Sequence, residues 1–147
     1  MPHDFQITRR IEFSETDMAG IVHYSNYFRF MEAAETAFLR SLGYSIALKR
    51  GGLELCLPRV HAECDYSVPL RFEDEIRIHL LVVKKGKRTL TYQFRFERIH
   101  PAPSVEVARG KVVLVSAKRQ RDGSLKAAPL PKLLADKIHQ APPDLLK

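Results

Sequence analysis

The stretch Phe13-Ser14-Glu15-Thr16-Asp17-Met18-Ala19-Gly20-Ile21-Val22-His23-Tyr24-Ser25-Asn26-Tyr27 decides how the chain is read. It joins an alternating apolar segment, Phe5, Ile7, Ile11 and Phe13, to a helical stretch from about Ser25 to Leu42. Alternation with period two is that of a half-buried strand, and the spacing after Ser25 is that of a helix. Ser25 or Asn26 is the expected N-cap and Gly43 the C-terminal stop. The loop between them sets one carboxylate, Asp17, just ahead of a helix N-terminus, with Gly20 letting the backbone turn closely. A helix start carries unpaired N–H groups and the positive end of the helix dipole, which suit a carbonyl oxygen that becomes negative during acyl transfer.

Along the helix, Tyr27, Met31, Phe38 and Leu42 fall on one side. Phe28, Phe30, Ala33, Ala37 and Leu39 widen that apolar arc, so the helix is expected to be mostly wrapped by other elements. Glu32 reads as orienting or structural, and Glu35 as exposed. Beyond a Gly51-Gly52 break come four more alternating runs. They are Val60 to Tyr66, Ile76 to Val82, Leu90 to Phe96, and Val105 through Gly110 to Val115. Lys84-Lys85-Gly86-Lys87-Arg88 and His100-Pro101-Ala102-Pro103 are links too short for parallel crossovers, so the runs read as antiparallel, meander-like strands. A short helix over about 132–139 follows Pro129-Leu130-Pro131. The pattern predicts a single α+β domain over residues 1–147, with a curved antiparallel sheet of about five strands wrapped around a long central helix and a short C-terminal helix.

The 147 residues are 45% hydrophobic and 28% charged, a soluble globular composition long enough for a core without staples. Cys56 and Cys64 lack Cys-x-x-Cys spacing, which argues against a disulfide framework or a zinc knuckle. The N-terminus has no basic start followed by an apolar run. No stretch approaches the roughly 18 to 20 apolar residues of a membrane span, so a cytoplasmic protein is expected. The 24 Lys and Arg exceed the 17 Asp and Glu to give +7, a field that attracts polyanions, nucleic acids, anionic membranes and the phosphorylated tail of coenzyme A alike, and charge alone does not choose between them. A nucleic-acid module would need Tyr92, Phe94 and Phe96 on an open sheet face, whereas those rings are better used against the apolar helix. His61 and Glu63 share a strand face without further ligands at suggestive spacing, so no metal is expected.

On these residues the chain resembles the 4-hydroxybenzoyl-CoA thioesterase branch of the hotdog superfamily, and is similar also to the acyl-CoA thioesterases associated with the Tol-Pal system. The pattern Asp-x-x-Gly-x-Val-x-x-x-x-Tyr is complete at Asp17, Gly20, Val22 and Tyr27. Further likeness lies in Asp65 to Ile76 and in the Pro129-Leu130-Pro131 approach to the last helix. The resemblance implies a hotdog fold and hydrolysis of an acyl- or aroyl-CoA to free acid and CoA. Asp17 matches the family's carboxylate, nucleophile or general base, and the backbone N–H of Tyr24 matches the oxyanion donor, with His23 beside them. Gly20, Val22, Tyr27 and Phe28 are the implied substrate-binding residues, and Lys87 with Arg88 the candidates for the CoA phosphates.

The resemblance further implies no cofactor, CoA entering as part of the substrate, and a homodimer assembling to a homotetramer. Two other readings on the same fold stand beside it. A hydratase or dehydratase pairs Asp with His five residues on, whereas His23 follows Asp17 by six. A non-catalytic acyl-CoA-binding protein is expected to lack Asp17.

Overall fold

The computed structural model describes residues 2–44 and 55–147, so the Gly51-Gly52 break lies outside the described residues. In chain order the elements are β1 (Asp4–Arg10), α1 (Asn26–Ser41), β2 (Leu55–Cys56), β3 (Arg59–Tyr66), β4 (Glu75–Lys85) and β5 (Thr89–His100). They continue with β6 (Val105–Val115), β7 (Ala117–Arg119), β8 (Leu125–Ala127) and α2 (Lys132–Lys137). The main sheet is antiparallel with strand order β1-β4-β5-β6-β3, and β2, β7 and β8 form a small second sheet. Among the described strands of the main sheet, β4, β5 and β6 form a meander. The third strand crosses to the far edge and pairs with β6, not with β4 as sequence order suggests, and β1 pairs with β4.

The central helix forms because Asn26 to Ser41 contains no Gly or Pro and its apolar residues recur at three and four. Tyr27, Phe30, Met31, Ala34, Phe38 and Leu39 are buried against the sheet. On the sheet, Ile76, Ile78, Leu80, Leu90, Tyr92, Phe94 and Phe96 meet that stripe. Tyr27 packs edge-on to Phe96 at one end of the helix, and Phe38 edge-on to Tyr92 at the other. This fixes direction: the N-terminal end of α1 lies over the far end of β5, and its C-terminal end over the start of β5.

Four local expectations are corrected. The first strand ends at Arg10, and Phe13 sits in a 3-10 turn, 73% exposed, edge-on to Phe72. Ser25 holds the N-cap position of α1 but with helical backbone and no side-chain capping bond: its hydroxyl pairs with His23, while the Asn26 side-chain amide donates to the Glu15 carbonyl. The three-residue strands β7 and β8 have no counterpart in the sequence pattern, being too short to show a period.

Glu35, finally, is buried. It falls on the same stripe as Met31, Ala34, Phe38 and Leu39, four residues after Met31 and three before Phe38. A charge is tolerated there because Arg59 reaches across from β3 to pair with it. The helix does stop as expected at Gly43, whose φ of +85° suits glycine, and the amide of Tyr44 donates back to Leu39. Lys137 of α2 then donates to the carbonyl of Leu42, tying the last helix to the end of the first.

Candidate active site

The Asp17 loop is closed by its own backbone. The amide of Asp17 donates to Ile21, that of Gly20 donates to Asp17, and Thr16 bridges Val22 in antiparallel fashion. Gly20 has φ of +80°, a left-handed conformation that an L side chain enters only with strain. The buried Val22 anchors the loop, its amide donating to Leu70.

Within this frame the Asp17 carboxylate is exposed, and its Oδ1 accepts from the amides of Ala19 at 2.8 Å and Ile21 at 3.4 Å. Oδ2 makes no hydrogen bond among the described residues. One oxygen is thus anchored while the other remains available for chemistry.

The amides that follow are almost all engaged. Those of Val22, His23, Asn26, Tyr27 and Phe28 donate to backbone carbonyls, and that of Ser25 to the His23 ring. Among the described residues the amide of Tyr24 has no acceptor. It stands two residues before the first residue of α1, where the helix field favours negative charge. The carbonyl of the same residue accepts from the Tyr66 hydroxyl at 3.0 Å, which steadies the peptide.

Asp17, Ile21, Val22, Tyr24, Tyr27, Tyr66, Ser67, Val68 and Pro69 surround one cavity of about 410 Å³. Its volume lies in the range of small-molecule sites. Tyr27 forms part of its wall, edge-on to Tyr66 with ring centroids 4.8 Å apart. Burial pushes the Tyr27 hydroxyl up to about 12, with smaller contributions from Cys64 and Asp74, and Tyr66 is raised chiefly by burial as well. At neutral pH both are therefore protonated donors, unsuited to act as bases. The wall from Tyr66 to Pro69 has no period or charge pattern of its own. Only its position in the stretch from Asp65 to Ile76 hinted at it.

The other residues singled out from the sequence lie elsewhere. Gly20 shapes the loop but does not line the cavity. His23 is half-buried, stacked on the Tyr24 ring at 4.5 Å, with Nδ1 accepting from the Ser25 amide, so its neutral ring carries the proton on Nε2. Phe28 lines a different cavity, with Met31, Glu35 and Arg59. Glu32 is exposed. His61 and Glu63 bond to each other at 2.8 Å on the exposed edge strand, and no group of three metal-ligating side chains occurs among the described residues. Lys87 and Arg88 lie in the β4–β5 turn, whose carbonyls hold Leu130 and Ser116. That turn is at the start of β5, whereas Phe96, against Tyr27, is eight residues further on. At about 3.3 Å per residue the separation is roughly 26 Å. Beyond Ser116, Lys118, Arg119, Arg121 and Lys126 line a basic groove on the small sheet.

A family model described as "Thioesterase-like superfamily" matches residues 11–138. The chain belongs to that superfamily. A 1,4-dihydroxy-2-naphthoyl-CoA hydrolase of Synechococcus elongatus is 32% identical over 136 residues, covering 90% of this chain and 93% of the relative. A putative esterase of Aquifex aeolicus is 42% identical over 91 residues, covering 61% of this chain and 70% of the relative. The solved 4-hydroxybenzoyl-CoA thioesterase from Pseudomonas sp. strain CBS-3 superimposes with a TM-score of 0.79 at 23% identity, covering 91% of this chain and 96% of that one. At that identity the likeness is one of fold, and the fold is that of the hotdog thioesterases. Membership makes the chain an enzyme of the thioester-hydrolysing class. No helix among the described residues is long and apolar enough to cross a membrane.

Proposed function

We propose that the chain hydrolyses the thioester of an acyl- or aroyl-CoA, with Asp17 as the reacting carboxylate and the Tyr24 amide as oxyanion donor. The observation that carries this reading is the pairing of two unused groups on one cavity: Asp17 Oδ2 and the Tyr24 N–H. A thioester carbonyl is electrophilic and a thiolate leaves readily, so one placed carboxylate and one or two donors suffice, with no metal or cofactor. Asp17 either takes the proton of a water that attacks the carbonyl, or attacks it directly to give an anhydride that water then opens. In both routes the Tyr24 N–H meets the developing negative oxygen, and CoA departs as thiolate. The names of the relatives support CoA thioesters, including aromatic ones, as the substrate class.

The assembly proposed is a homodimer that pairs again to a tetramer. Its support is β3, an edge strand exposed along nearly its whole length, with Val60 61% exposed. The test of function is thiol release across a panel of aryl, short-chain and longer acyl-CoAs. Turnover of at least one with kcat/KM in the enzymatic range, about 10⁴ M⁻¹s⁻¹ or more, is expected. Hydrolysis of none by folded protein would refute the reading. Label found in the Asp17 carboxylate after one turnover in ¹⁸O-water would establish the anhydride route, opened by water at the aspartyl carbonyl, since the general-base route puts the label only in the product acid.

A further inference from the structure

Tyr66, the last residue of β3, lines the Asp17 cavity from the sheet side and bonds to the loop opposite. Its hydroxyl donates to the Tyr24 carbonyl at 3.0 Å, joining residues 42 apart in sequence. Tyr24 has a peptide plane on each side. The plane before it carries the N–H that has no acceptor among the described residues, and the carbonyl of that plane, on His23, accepts from the Asn26 amide at 2.9 Å. The plane after it carries the Tyr24 carbonyl, to which the helix itself gives only a long bond, 3.4 Å from the Tyr27 amide. An N–H···O bond is ordinarily about 2.7 to 3.2 Å long, so the Tyr66 hydroxyl is the stronger hold on this second plane. The two planes meet at the Tyr24 Cα, and slack in either lets the N–H wander.

Tyr66 is itself well placed to hold. Its ring packs edge-on against the buried Tyr27, centroids 4.8 Å apart, and Tyr27 in turn stands edge-on to Phe96 of β5. The chain just beyond is tied to β6, where the amides of Ser67 and Val68 both donate to the Val107 carbonyl. Cys64, two residues back on the same face of β3, hydrogen-bonds to the phenol as well. Burial pushes the Cys64 thiol up to about 11 and raises Tyr66 too, so at neutral pH both keep their protons. A phenol has one proton to give, and it goes to the Tyr24 carbonyl; the thiol donates into the phenol oxygen. Donation into that oxygen polarises the O–H and strengthens the bond it makes in turn. Because Tyr66 is 45% exposed, packing alone does not call for the hydroxyl: a phenylalanine ring would complete the wall equally well.

We propose that Tyr66 is a positioning residue of the hydrolysis: through the Tyr24 carbonyl it keeps the Tyr24 N–H aimed at the thioester oxygen that becomes negative, while its ring bounds the acyl pocket. The two duties are separable by kinetics. The ring touches bound substrate and transition state alike and is read in KM, whereas the aim of the N–H matters most once charge has developed and is read in kcat.

The inference rests on the thioesterase reading, and its test uses the whole chain with the acyl-CoA that the parent hydrolyses best. Tyr66→Phe keeps the ring and removes the hydroxyl. Its kcat is expected to fall roughly 5- to 50-fold with KM within about twofold, a smaller loss than the roughly 10²- to 10³-fold of removing an oxyanion donor outright. Tyr66→Leu removes ring and hydroxyl together and should show a similar fall in kcat with a raised KM. A role in stability alone predicts instead a lowered melting temperature with normal kcat per folded molecule. The second readout is infrared, on the ketone analogue of the same substrate, with CH₂ in place of sulfur and ¹³C at the carbonyl. Bound to the parent, its carbonyl stretch should lie at lower wavenumber than free, and Tyr66→Phe should return it toward the free value. A parent-like kcat in folded Tyr66→Phe, or a lowered kcat with an unmoved carbonyl stretch, would overturn the positioning role and leave the thioesterase standing. A parent that hydrolyses no acyl-CoA would overturn both.

Discussion

Replacing Asp17 by Asn tests the proposed chemistry with the least structural disturbance. The amide keeps an oxygen where Oδ1 accepts from Ala19 and Ile21, so the loop closure survives. Oδ2, which becomes NH₂, has no partner to lose. The residue is exposed, and the expected stability change is within about 0.5 kcal/mol. What disappears is the charge that attacks the carbonyl or takes a proton from water. Loss of a general base lowers turnover about 10²- to 10⁴-fold, equivalent to roughly 3 to 5 kcal/mol of transition-state stabilisation. Acyl-CoA binding should persist, because the cavity wall and the Tyr24 amide are untouched. The assay is steady-state thiol release beside thermal unfolding and calorimetric binding on one preparation. A structural role for Asp17 predicts the opposite pattern, a lowered melting temperature with normal turnover in the folded fraction. Parent-like hydrolysis by folded Asp17→Asn protein would refute the mechanism.

Three further outcomes are expected. Gly110→Ala sets a Cβ against Cε of the buried Met31, whose flexible end must move aside in a close-packed core, so it should cost about 1 kcal/mol in denaturant unfolding. Adding Met31→Ala should cost less than the sum of the two single changes, and strict additivity would contradict the close packing. Burial pushes the Cys64 thiol up to about 11, partly opposed by a hydrogen bond with Tyr66. Its alkylation at pH 8 should be roughly 100-fold slower than that of an ordinary thiol and rise with pH up to about 11, because the thiolate reacts; fast labelling at pH 8 would show that the burial is wrong. Replacing Lys87 and Arg88 together by Ala should raise KM for acyl-CoA, leave kcat nearly unchanged and spare an acyl-pantetheine. Equal KM values would remove both residues from CoA binding.

The strands that one face of the sheet buries were legible because packing on α1 enforces alternation, as at Ile76, Ile78 and Leu80 or Tyr92, Phe94 and Phe96. Strand order was not, since period says which face a residue takes and nothing about which strand lies beside it. That is how β3 came to be set next to β4. Glu35 was misread by its chemistry although its spacing from Met31 and Phe38 was correct for the core. The partner that makes its burial tolerable, Arg59, is 24 residues away in sequence. In the site, the Asp17 loop was legible because the bonds that close it around Asp17 are local, the Val22 amide donating to Leu70 being its one long-range tie among those described. The opposite wall, Tyr66 to Pro69, is brought there by tertiary folding alone.

The same tertiary facts bear on how the proposed enzyme is assembled. Asp17 and Tyr66 mark one end of the main sheet. Arg59 marks the other, because it registers with Leu114, which registers with Leu90 beside the Lys87–Arg88 turn. Within one chain, therefore, the basic turn and the reacting carboxylate stand at opposite ends, and one CoA molecule must bridge the length of β5 to touch both. Pairing the exposed β3 with its copy about a two-fold axis reverses direction at the seam. The Arg59 end of one copy then meets the Tyr66 end of the other, bringing a basic turn toward a foreign Asp17. If Lys87 and Arg88 hold CoA phosphates at all, they do so for the neighbour's active site, and hydrolysis of full-length CoA thioesters depends on assembly. Sedimentation at micromolar concentration should show a dimer or tetramer. A mixture of Asp17→Asn chains with Lys87→Ala/Arg88→Ala chains should regain a low KM at a fraction of its sites, because one subunit type contributes the carboxylate and the other the cations. A species that stays monomeric yet binds acyl-CoA more tightly than acyl-pantetheine through Lys87 and Arg88 would defeat this arrangement.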